Sequence, residues 1–243
     1  MTHPLSSTGM VLAAGYGKRM HPLTLSKPKP LQPIGKRTML DLALDKLVAA
    51  GLRRAVVNTF YLAEQIEDHL KARKDIEIVI SREEELLDTG GGIAKALPNF
   101  EGLPFIALNA DLPWFDSDPP SLSLMKNAWN PEKMDALLLV MRTRKARGFS
   151  EKGDFDMAPT GRLHRKNILP PRPYVMLSAQ VLKPELFAAQ PSKIFSNNII
   201  WTEAEARGKL YGVEHKGTCF HVGTPDDLRE ANALLESGKG WDV

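Results

Sequence analysis

Several features that would assign a chain to a large protein class are missing from this sequence. It has one cysteine, Cys219, so it can form neither an internal disulfide nor a zinc site built from several thiolates. No apolar run approaches the roughly 20 residues of a membrane-spanning helix, and the N-terminal stretch MTHPLSSTGM lacks the basic and apolar blocks of a signal peptide. No G-x-S-x-G, H-E-x-x-H or C-x-x-C string occurs, so serine hydrolase, zincin and thioredoxin-like classes have no support. We therefore expect a cytoplasmic protein without a membrane partner.

Neither sign of charge dominates the sequence. The 32 lysines and arginines exceed the 29 aspartates and glutamates by three, and this excess is spread along the chain. Such a balance does not favour nucleic acid as a partner, but it is compatible with a locally basic pocket for an anionic small molecule. Hydrophobic residues make up 43% of the chain, which is enough for a sizeable core in one α/β domain or two small ones.

Short apolar runs alternate with stretches of helical period, a pattern typical of βαβ units around a mostly parallel sheet. Strands are predicted at 10–12, 55–58, 76–80, 105–108, 136–141, 174–182, 209–215 and 218–222. Helices are predicted at about 40–48, 62–70, 196–207 and 225–235. Residues 143–173 are rich in Pro, Gly and basic side chains, with a possible hairpin through Pro159, Thr160 and Gly161. We interpret this stretch as an insertion that lines a cleft.

The densest motif follows the first predicted strand. It reads L-A-A-G-Y-G-K-R-M over 12–20 and P-L-T-L-S-K-P-K-P-L-Q-P-I over 22–34. Glycines let backbone N–H groups approach a phosphate, and fixed cations can neutralise a triphosphate. The motif is not a Rossmann fingerprint, since Met20 replaces its third glycine, nor a P-loop, since Leu12 replaces its first. An ordinary glycine-rich turn is the alternative, but the full string resembles the signature of the sugar-1-phosphate nucleotidylyltransferases.

That resemblance implies a GT-A-like, Rossmann-related α/β fold in one domain, residues 1–243, with a mostly parallel central sheet flanked by helices and a small β-rich sugar-binding subregion. It implies a nucleotide-binding part at about 10–142, a sugar-binding part at about 143–223 and a closing helix at 225–236. Family members join a nucleoside triphosphate to a sugar 1-phosphate and release pyrophosphate. The resemblance assigns residues to the base and ribose, namely Leu12, Ala13, Ala14 and Gly15. It assigns residues to the triphosphate, namely Gly17, Lys18, Arg19 and, at the α-phosphate, Lys29, with Arg19 and Lys29 as catalytic groups.

A second motif is T-G-G-G, Thr89 to Gly92, which is predicted to open a short helix. Unpaired N–H groups at such a start could receive an anion or a base carbonyl, and a flexible turn is the alternative. The family carries a glycine-rich segment here that contacts the base, so the resemblance implies nucleotide binding by Thr89, Gly90, Gly91 and Gly92. Within the family, D-T-G-G-G-I over 88–93 resembles the bacterial N-acetylmuramate-1-phosphate uridylyltransferases, which recycle cell-wall sugar.

The third motif is N-A-D, which ends at Asp111 after a buried strand, at the edge where open α/β sheets bind ligands. A carboxylate suits Mg²⁺, and a helix cap or turn is the alternative. The match to the family's N-x-D makes Asp111 a catalytic metal ligand and places Asn109 at the sugar. In G-T-C-F-H-V-G-T-P over 217–225, His221 stands where the family commonly has an aspartate. Imidazole is a poor Mg²⁺ ligand, so either Asp111 holds Mg²⁺ with phosphates and water, or His221 helps to bind Mn²⁺, or His221 is structural.

The sugar-binding half carries weaker signals. G-D-F over 153–155 is similar to a string of the muramate uridylyltransferases and implies that Asp154 binds sugar hydroxyls. Asn198 is expected at the sugar or phosphate, with helix capping as the alternative. UTP and N-acetylmuramate 1-phosphate are the favoured substrates, followed by guanylyl transfer to mannose 1-phosphate or thymidylyl transfer to glucose 1-phosphate. If His221 marks a loss of catalysis, the chain is instead a nucleotide-sugar binding module. We expect a monomer.

Overall fold

A computed structural model describes residues 4–165, 171–190 and 192–237 of the chain. Its strands are β1 (Thr8–Leu12), β2 (Pro33–Ile34), β3 (Arg37–Thr38), β4 (Arg54–Thr59), β5 (Glu77–Arg82), β6 (Phe105–Asn109), β7 (Trp114–Phe115), β8 (Ala136–Arg142), β9 (Asp156–Met157), β10 (Leu163–His164), β11 (Tyr174–Leu182), β12 (Leu210–Glu214) and β13 (Thr218–Cys219). Its α-helices are α1 (Met39–Ala49), α2 (Ala63–Leu70), α3 (Asp88–Ala96), α4 (Ser121–Ala128), α5 (Asn197–Ala206) and α6 (Pro225–Glu236). None of the helices within these described ranges is long and apolar enough to cross a membrane.

The core of the molecule is a seven-stranded sheet in the order β12-β8-β11-β6-β1-β4-β5. Neighbouring strands run parallel except at β11, which is antiparallel to both β6 and β8. The predicted fold, a mostly parallel sheet flanked by helices, is confirmed. Because the chain adds β4 and β5 on one side of β1 and β6 on the other, the strand order reverses at β1. Open α/β sheets bind ligands at the carboxyl ends of the strands beside such a reversal.

The central strands are buried because both faces of the sheet are covered. β8 and β11 are apolar runs buried almost throughout, as strands with two covered faces should be. One apolar cluster packs α1 and α4 on one face, and a second packs α3 and α5 on the other. A third, smaller cluster joins Met20 to Met39 and to Leu228 of α6. This third cluster holds the loop after β1 against the C-terminal helix.

Most of the predicted elements form where the sequence placed them. The predicted helix at 196–207 is α5, with Ser196 as its N-cap accepting from the Asn198 N–H. The predicted hairpin also forms, since β9 and β10 pair antiparallel and Gly161 adopts a left-handed φ of +84° in their turn. The prediction of a strand at 218–222 is wrong beyond Cys219. β13 pairs with β7 outside the main sheet, and the His221 N–H instead donates to the Arg147 carbonyl.

Candidate active site

A pocket of about 600 Å³ opens at the carboxyl ends of β1 and β6, beside the strand-order reversal. It is lined by Leu12, Ala13, Ala14, Gly15, Gly17, Lys18, Arg19, Met20, Lys29, Pro30, Asn58, Leu86, Asp88, Thr89, Asn109, Asp111, Ile194 and Gly223. All the predicted residues of the loop after β1 are in this lining. Of the other predicted residues, Thr89, Asn109 and Asp111 line it, whereas Gly90, Gly91, Gly92, Asp154, Asn198 and His221 do not.

The loop after β1 offers backbone N–H groups to the pocket. Within the described ranges, the N–H groups of Gly15, Tyr16 and Gly17 have no protein acceptor. Gly17 is left-handed at φ +62°, and its carbonyl accepts from the Met20 N–H at 2.8 Å and from Thr24 Oγ1 at 3.0 Å. A loop fixed in this way leaves its amides available to phosphate oxygens without further reorganisation.

Three cations line the pocket with these amides. Lys18 and Arg19 are exposed, whereas the side chain of Lys29 is only 7% exposed. Lys18 Nζ lies 5.1 Å from the ring centroid of Tyr16. Arg19 is close to the segment before α6, since a methyl group added at Gly223 would lie 3.0 Å from Arg19 Nη1. The arrangement suits a polyanionic ligand such as a triphosphate.

The charge at the base of the pocket comes from one ion pair. Lys29 Nζ donates to Asp111 Oδ2 at 2.8 Å, and the Asp111 side chain is 45% exposed. The surrounding protein acts to raise the pKa of the Asp111 carboxyl, but the charge and hydrogen bond of Lys29 outweigh that effect and hold the pKa below its usual range. Asp111 is therefore an anion that faces the pocket at neutral pH.

The donor set around Asp111 fits one mode of divalent-metal binding. No group of three or more His, Cys, Asp or Glu side chains within the described ranges could hold an ion without other ligands. Mg²⁺, however, is usually bound by one or two carboxylates together with substrate phosphates and water, and the accessible Asp111 carboxylate in this cation-lined pocket is compatible with this mode. A metal held in this way would depend on bound nucleotide for the rest of its ligands.

His221 lies beside this site but outside the pocket lining. Its Nδ1 is 3.0 Å from the Gly148 carbonyl, a contact in which Nδ1 donates, so that in the neutral ring Nε2 carries the lone pair. Protein histidines that bind metal commonly have this second hydrogen bond to a carbonyl. His221 is also near enough for its positive form to lower the pKa of Asp111. The geometry is therefore compatible with either a ligand or a structural role.

Two buried polar residues that the sequence analysis did not single out hold the walls of the pocket. Asn58, at the end of β4, accepts from the Ala13 N–H at 2.7 Å and donates to Glu83 Oε1 at 2.7 Å. The other Glu83 oxygen accepts from the Leu87 N–H at 3.0 Å, just before α3. The loop after β1 is thus connected to the start of α3. The sequence signal that could have identified Asn58 is a polar side chain at the carboxyl end of a buried strand that lies next to a glycine-rich loop.

The three glycines of α3 serve packing. The N–H groups of Gly90 and Gly91 both donate to the Phe195 carbonyl, so the expectation of unpaired amides is wrong for these two residues. A methyl group at Gly91 would lie 2.1 Å from the Lys193 carbonyl oxygen, and one at Gly92 would lie 2.7 Å from Asn58 Nδ2. The glycines therefore let α3 approach both the pocket wall and the segment before α5.

The residues predicted to bind the sugar lie in two places. Asn109 lines the pocket, and its Oδ1 is buried with no hydrogen-bond partner among the described residues, as expected of a group that awaits a ligand. Asp154 Oδ2 accepts from the Met176 N–H at 2.9 Å, and Asn198 Oδ1 accepts from Arg165 Nη1 at 2.8 Å. These last two contacts lie in the half of the molecule around β9, β11 and α5.

Comparisons with known proteins show which family this chain is similar to. The model of the family described as nucleotidyl transferase matches residues 8–150. The chain is 37% identical to the N-acetylmuramate alpha-1-phosphate uridylyltransferase of Caulobacter vibrioides over 93% of this chain and 96% of the relative. It is 30% identical to the protein of the same name from Neisseria meningitidis, over 95% of this chain and 99% of the relative. A crystal structure of a UDP-glucose pyrophosphorylase complexed with UDP-glucose has the same fold, with a TM-score of 0.76 at 19% identity over 95% of this chain and 98% of that chain.

Proposed function

We propose that this chain, which belongs to the nucleotidyl transferase family, joins UTP to N-acetylmuramate 1-phosphate and releases pyrophosphate. The observation that carries the reaction type is the convergence, in one pocket, of unpaired loop amides, three cations and the Asp111 carboxylate. The choice of uridylyl transfer to N-acetylmuramate 1-phosphate is supported by two relatives of that name that match nearly end to end. The proposal also covers the setting of the reaction. The protein acts as a monomer in the cytoplasm, and its reaction is a step of peptidoglycan recycling.

The reaction needs little covalent chemistry from the protein. An oxygen of the sugar 1-phosphate attacks the α-phosphorus, a new P–O bond forms, and the bond from the α-phosphorus to the bridging oxygen breaks as pyrophosphate leaves. The attacking phosphate is already an anion, so no general base is required. Catalysis then depends on positioning the two substrates and stabilising the charge that moves onto pyrophosphate.

Different residues of the pocket position the phosphates and stabilise their charge. The amides of Gly15 to Gly17, with Lys18 and Arg19, hold the β- and γ-phosphates, and Lys29 neutralises the α-phosphate. Because Lys29 is buried and paired with Asp111, its charge is fixed in place before substrate arrives. Asp111 would hold Mg²⁺, and His221 would favour Mn²⁺ if it contributes Nε2. Such an ion supplies charge neutralisation at the phosphate oxygens.

The proposal is tested by pyrophosphate release from the purified protein. UTP, GTP, dTTP and CTP are each combined with the 1-phosphates of N-acetylmuramate, N-acetylglucosamine, mannose and glucose, first in Mg²⁺ and then in Mn²⁺. We expect the highest kcat/KM for UTP with N-acetylmuramate 1-phosphate. A preference for GTP with mannose 1-phosphate or for dTTP with glucose 1-phosphate would refute the substrate assignment.

The same assay tests the role of His221. If His221 marks a loss of catalysis, nucleotide binds but no pair of substrates releases pyrophosphate in either metal. If His221 is a ligand, His221→Asp raises the ratio of Mg²⁺-supported to Mn²⁺-supported turnover. An unchanged ratio in an active variant would assign His221 a structural role.

A further inference from the structure

A polar cluster between β10 and α5 joins two residues that the sequence predicted separately as sugar contacts. At its centre is Arg165, which the sequence analysis did not single out. Arg165 Nη1 donates to Asn198 Oδ1 at 2.8 Å, and Nη2 donates to the Asn198 carbonyl at 2.6 Å. Asp154 is near enough for its negative charge to act on the pKa of Arg165. The guanidinium is therefore hydrogen-bonded to one predicted sugar contact and within electrostatic range of the other.

This cluster adjoins the nucleotide pocket. The Asn197 N–H, next to Asn198 at the start of α5, donates at 2.9 Å to Thr89 Oγ1, and Thr89 lines the pocket. On the other side, Asp154 is bonded to Met176 of β11, the neighbour of β6, and β6 ends at the pocket residue Asn109. Asp154 and Asn198 are therefore each connected, through one neighbouring residue or strand, to a residue of the pocket lining.

The Arg165 guanidinium is partnered mainly by neutral groups. Its hydrogen bonds go to the side chain and carbonyl of Asn198 and to Thr202 Oγ1. The nearest carboxylate oxygen among its described ion pairs is Glu205 Oε2, 3.8 Å from Nε and outside hydrogen-bond range. A guanidinium has five N–H donors, so donors remain for a ligand, and 23% of the side chain is exposed.

The charge balance at Arg165 favours an additional anion. Burial lowers the pKa of Arg165, Arg172 lowers it further, and the attraction of Glu205 and Asp154 does not fully offset these effects. A carboxylate that accepts a charge-assisted hydrogen bond from one of the N–H groups left on Nη1 and Nε would remove this deficit.

N-acetylmuramate differs from N-acetylglucosamine by one lactyl ether group, which carries a carboxylate. We propose that Arg165 recognises this carboxylate and thereby selects the muramate sugar, while Asp154 and Asn198 contact neutral groups of the ring. The inference rests on the function proposed above. It makes Arg165 a specificity residue, separate from the cations that hold the triphosphate.

The test is Arg165→Gln in the full chain, with two sugar phosphates compared in the same assay. We expect kcat/KM for N-acetylmuramate 1-phosphate to fall roughly 10- to 100-fold, the loss of a charge-assisted hydrogen bond, while that for N-acetylglucosamine 1-phosphate changes less than about threefold. If turnover of N-acetylglucosamine 1-phosphate is too slow to measure, its inhibition constant in the reaction with N-acetylmuramate 1-phosphate replaces kcat/KM. Arg165→Lys, which keeps the charge but not the planar guanidinium and its hydrogen bonds to Asn198, should give an intermediate loss. Arg162→Gln is the matched control, because Arg162 Nε donates to the Tyr211 hydroxyl and makes no contact with Asn198.

The outcomes separate this inference from the proposed function. If the wild type shows no muramate turnover, the proposed function fails. If the wild type is active and Arg165→Gln lowers kcat/KM equally for both sugar 1-phosphates, or leaves kcat/KM for N-acetylmuramate 1-phosphate unchanged, only the role of Arg165 fails. Should Arg165→Gln not fold, as shown by its thermal unfolding, Arg165→Lys carries the same comparison, and an equal loss on both sugars would again overturn the inference.

Discussion

At the scale of single residues, the Lys29–Asp111 pair combines a buried cation with an accessible anion. A pair of this kind is not primarily a stabilising contact, because the accessible carboxylate can be hydrated when its partner is lost. Its value lies in holding the ammonium group at a fixed point in a protein cavity before any phosphate arrives. In the proposed reaction, the pair therefore serves to position charge for the phosphates.

Removing Lys29 should thus reduce turnover far more than stability, whereas removing Asp111 also leaves the buried ammonium of Lys29 unpaired and should lower both. We expect Lys29→Ala and Asp111→Ala each to lower kcat about a hundredfold, or about 3 kcal/mol in the barrier, as for other preorganised electrostatic groups. The measurement is pyrophosphate release, with thermal unfolding recorded in parallel.

Lys27→Ala is the control for these variants, because Lys27 is an exposed lysine on the same loop and does not line the pocket. It should retain wild-type kcat. A folded Lys29→Ala or Asp111→Ala protein with wild-type turnover would show that the pair is not part of the catalytic machinery.

Individual site residues differed in how well the sequence could predict them. Arg19, Lys29 and Asp111 were accessible to prediction because their charge and position in a motif already indicate their chemistry. Asn58 and Glu83 were not, since each acts through a hydrogen bond to another segment, and such a partner becomes visible only when β1 and β4 lie side by side. Arg165 was missed for the same reason, as its partner Asn198 comes from α5.

At the scale of elements, α3 shows how glycines can be required by a neighbouring segment. Gly91 packs against the backbone at Lys193, so the substitution Gly91→Ala places a methyl group where a carbonyl oxygen stands 2.1 Å away. Neither backbone can move without disturbing the contact to Phe195. We expect Gly91→Ala to lower the free energy of unfolding by about 1–3 kcal/mol, the range for overpacked sites, as measured by urea denaturation.

Gly15→Ala is the matched comparison, because nothing lies within 4 Å of an added methyl group there. Its free energy of unfolding should stay within about 0.5 kcal/mol of wild type, the usual range for surface changes. Gly15 lines the pocket, however, so the methyl group should raise the KM for UTP. If Gly91→Ala proves as stable as Gly15→Ala, the packing account of α3 is wrong.

Elements with a clear period were predicted well, and elements defined by a distant partner were not. The apolar stripe of α1 and the unbroken apolar run of β8 can each be recognised from the residues of the element alone. The T-G-G-G string does not, because three glycines fit a free helix start and a close packing contact equally well. The choice between them is made by Phe195, about a hundred residues later in the chain.

At the scale of the whole molecule, the single cysteine reports on global unfolding. Cys219 is fully buried, and burial raises its pKa to about 12. An exposed thiol has a pKa near 8.5, so the unfolded chain ionises first as the pH rises. Ionisation therefore favours the unfolded state, and the contribution of Cys219 to stability should decline from about pH 9 towards pH 12.

The rate at which a disulfide reagent labels Cys219 at pH 8 measures how often opening of the fold exposes the buried thiol. We expect native protein to react only through opening of the fold, much more slowly than protein in urea, and saturating UTP should slow the reaction further by stabilising the native state. Reaction of native protein at the rate of a free thiol would contradict the burial of Cys219.

The overall arrangement of the sheet could be predicted from the βαβ pattern of the sequence. The pairing of β13 with β7 could not, because those two short strands lack a pattern of their own.

The contact between the loop after β1 and the segment before α6 has a consequence for how the protein is made. The loop after β1 is synthesised roughly two hundred residues before its neighbours Gly223 and Leu228. Met20, which anchors that loop, can pack with Met39 soon after both are made, but with Leu228 only when α6 has left the ribosome. A nascent chain therefore cannot complete the lining of this pocket before the segment at Gly223 has left the ribosome, and a ligand of the whole pocket cannot guide the folding of the loop before that point.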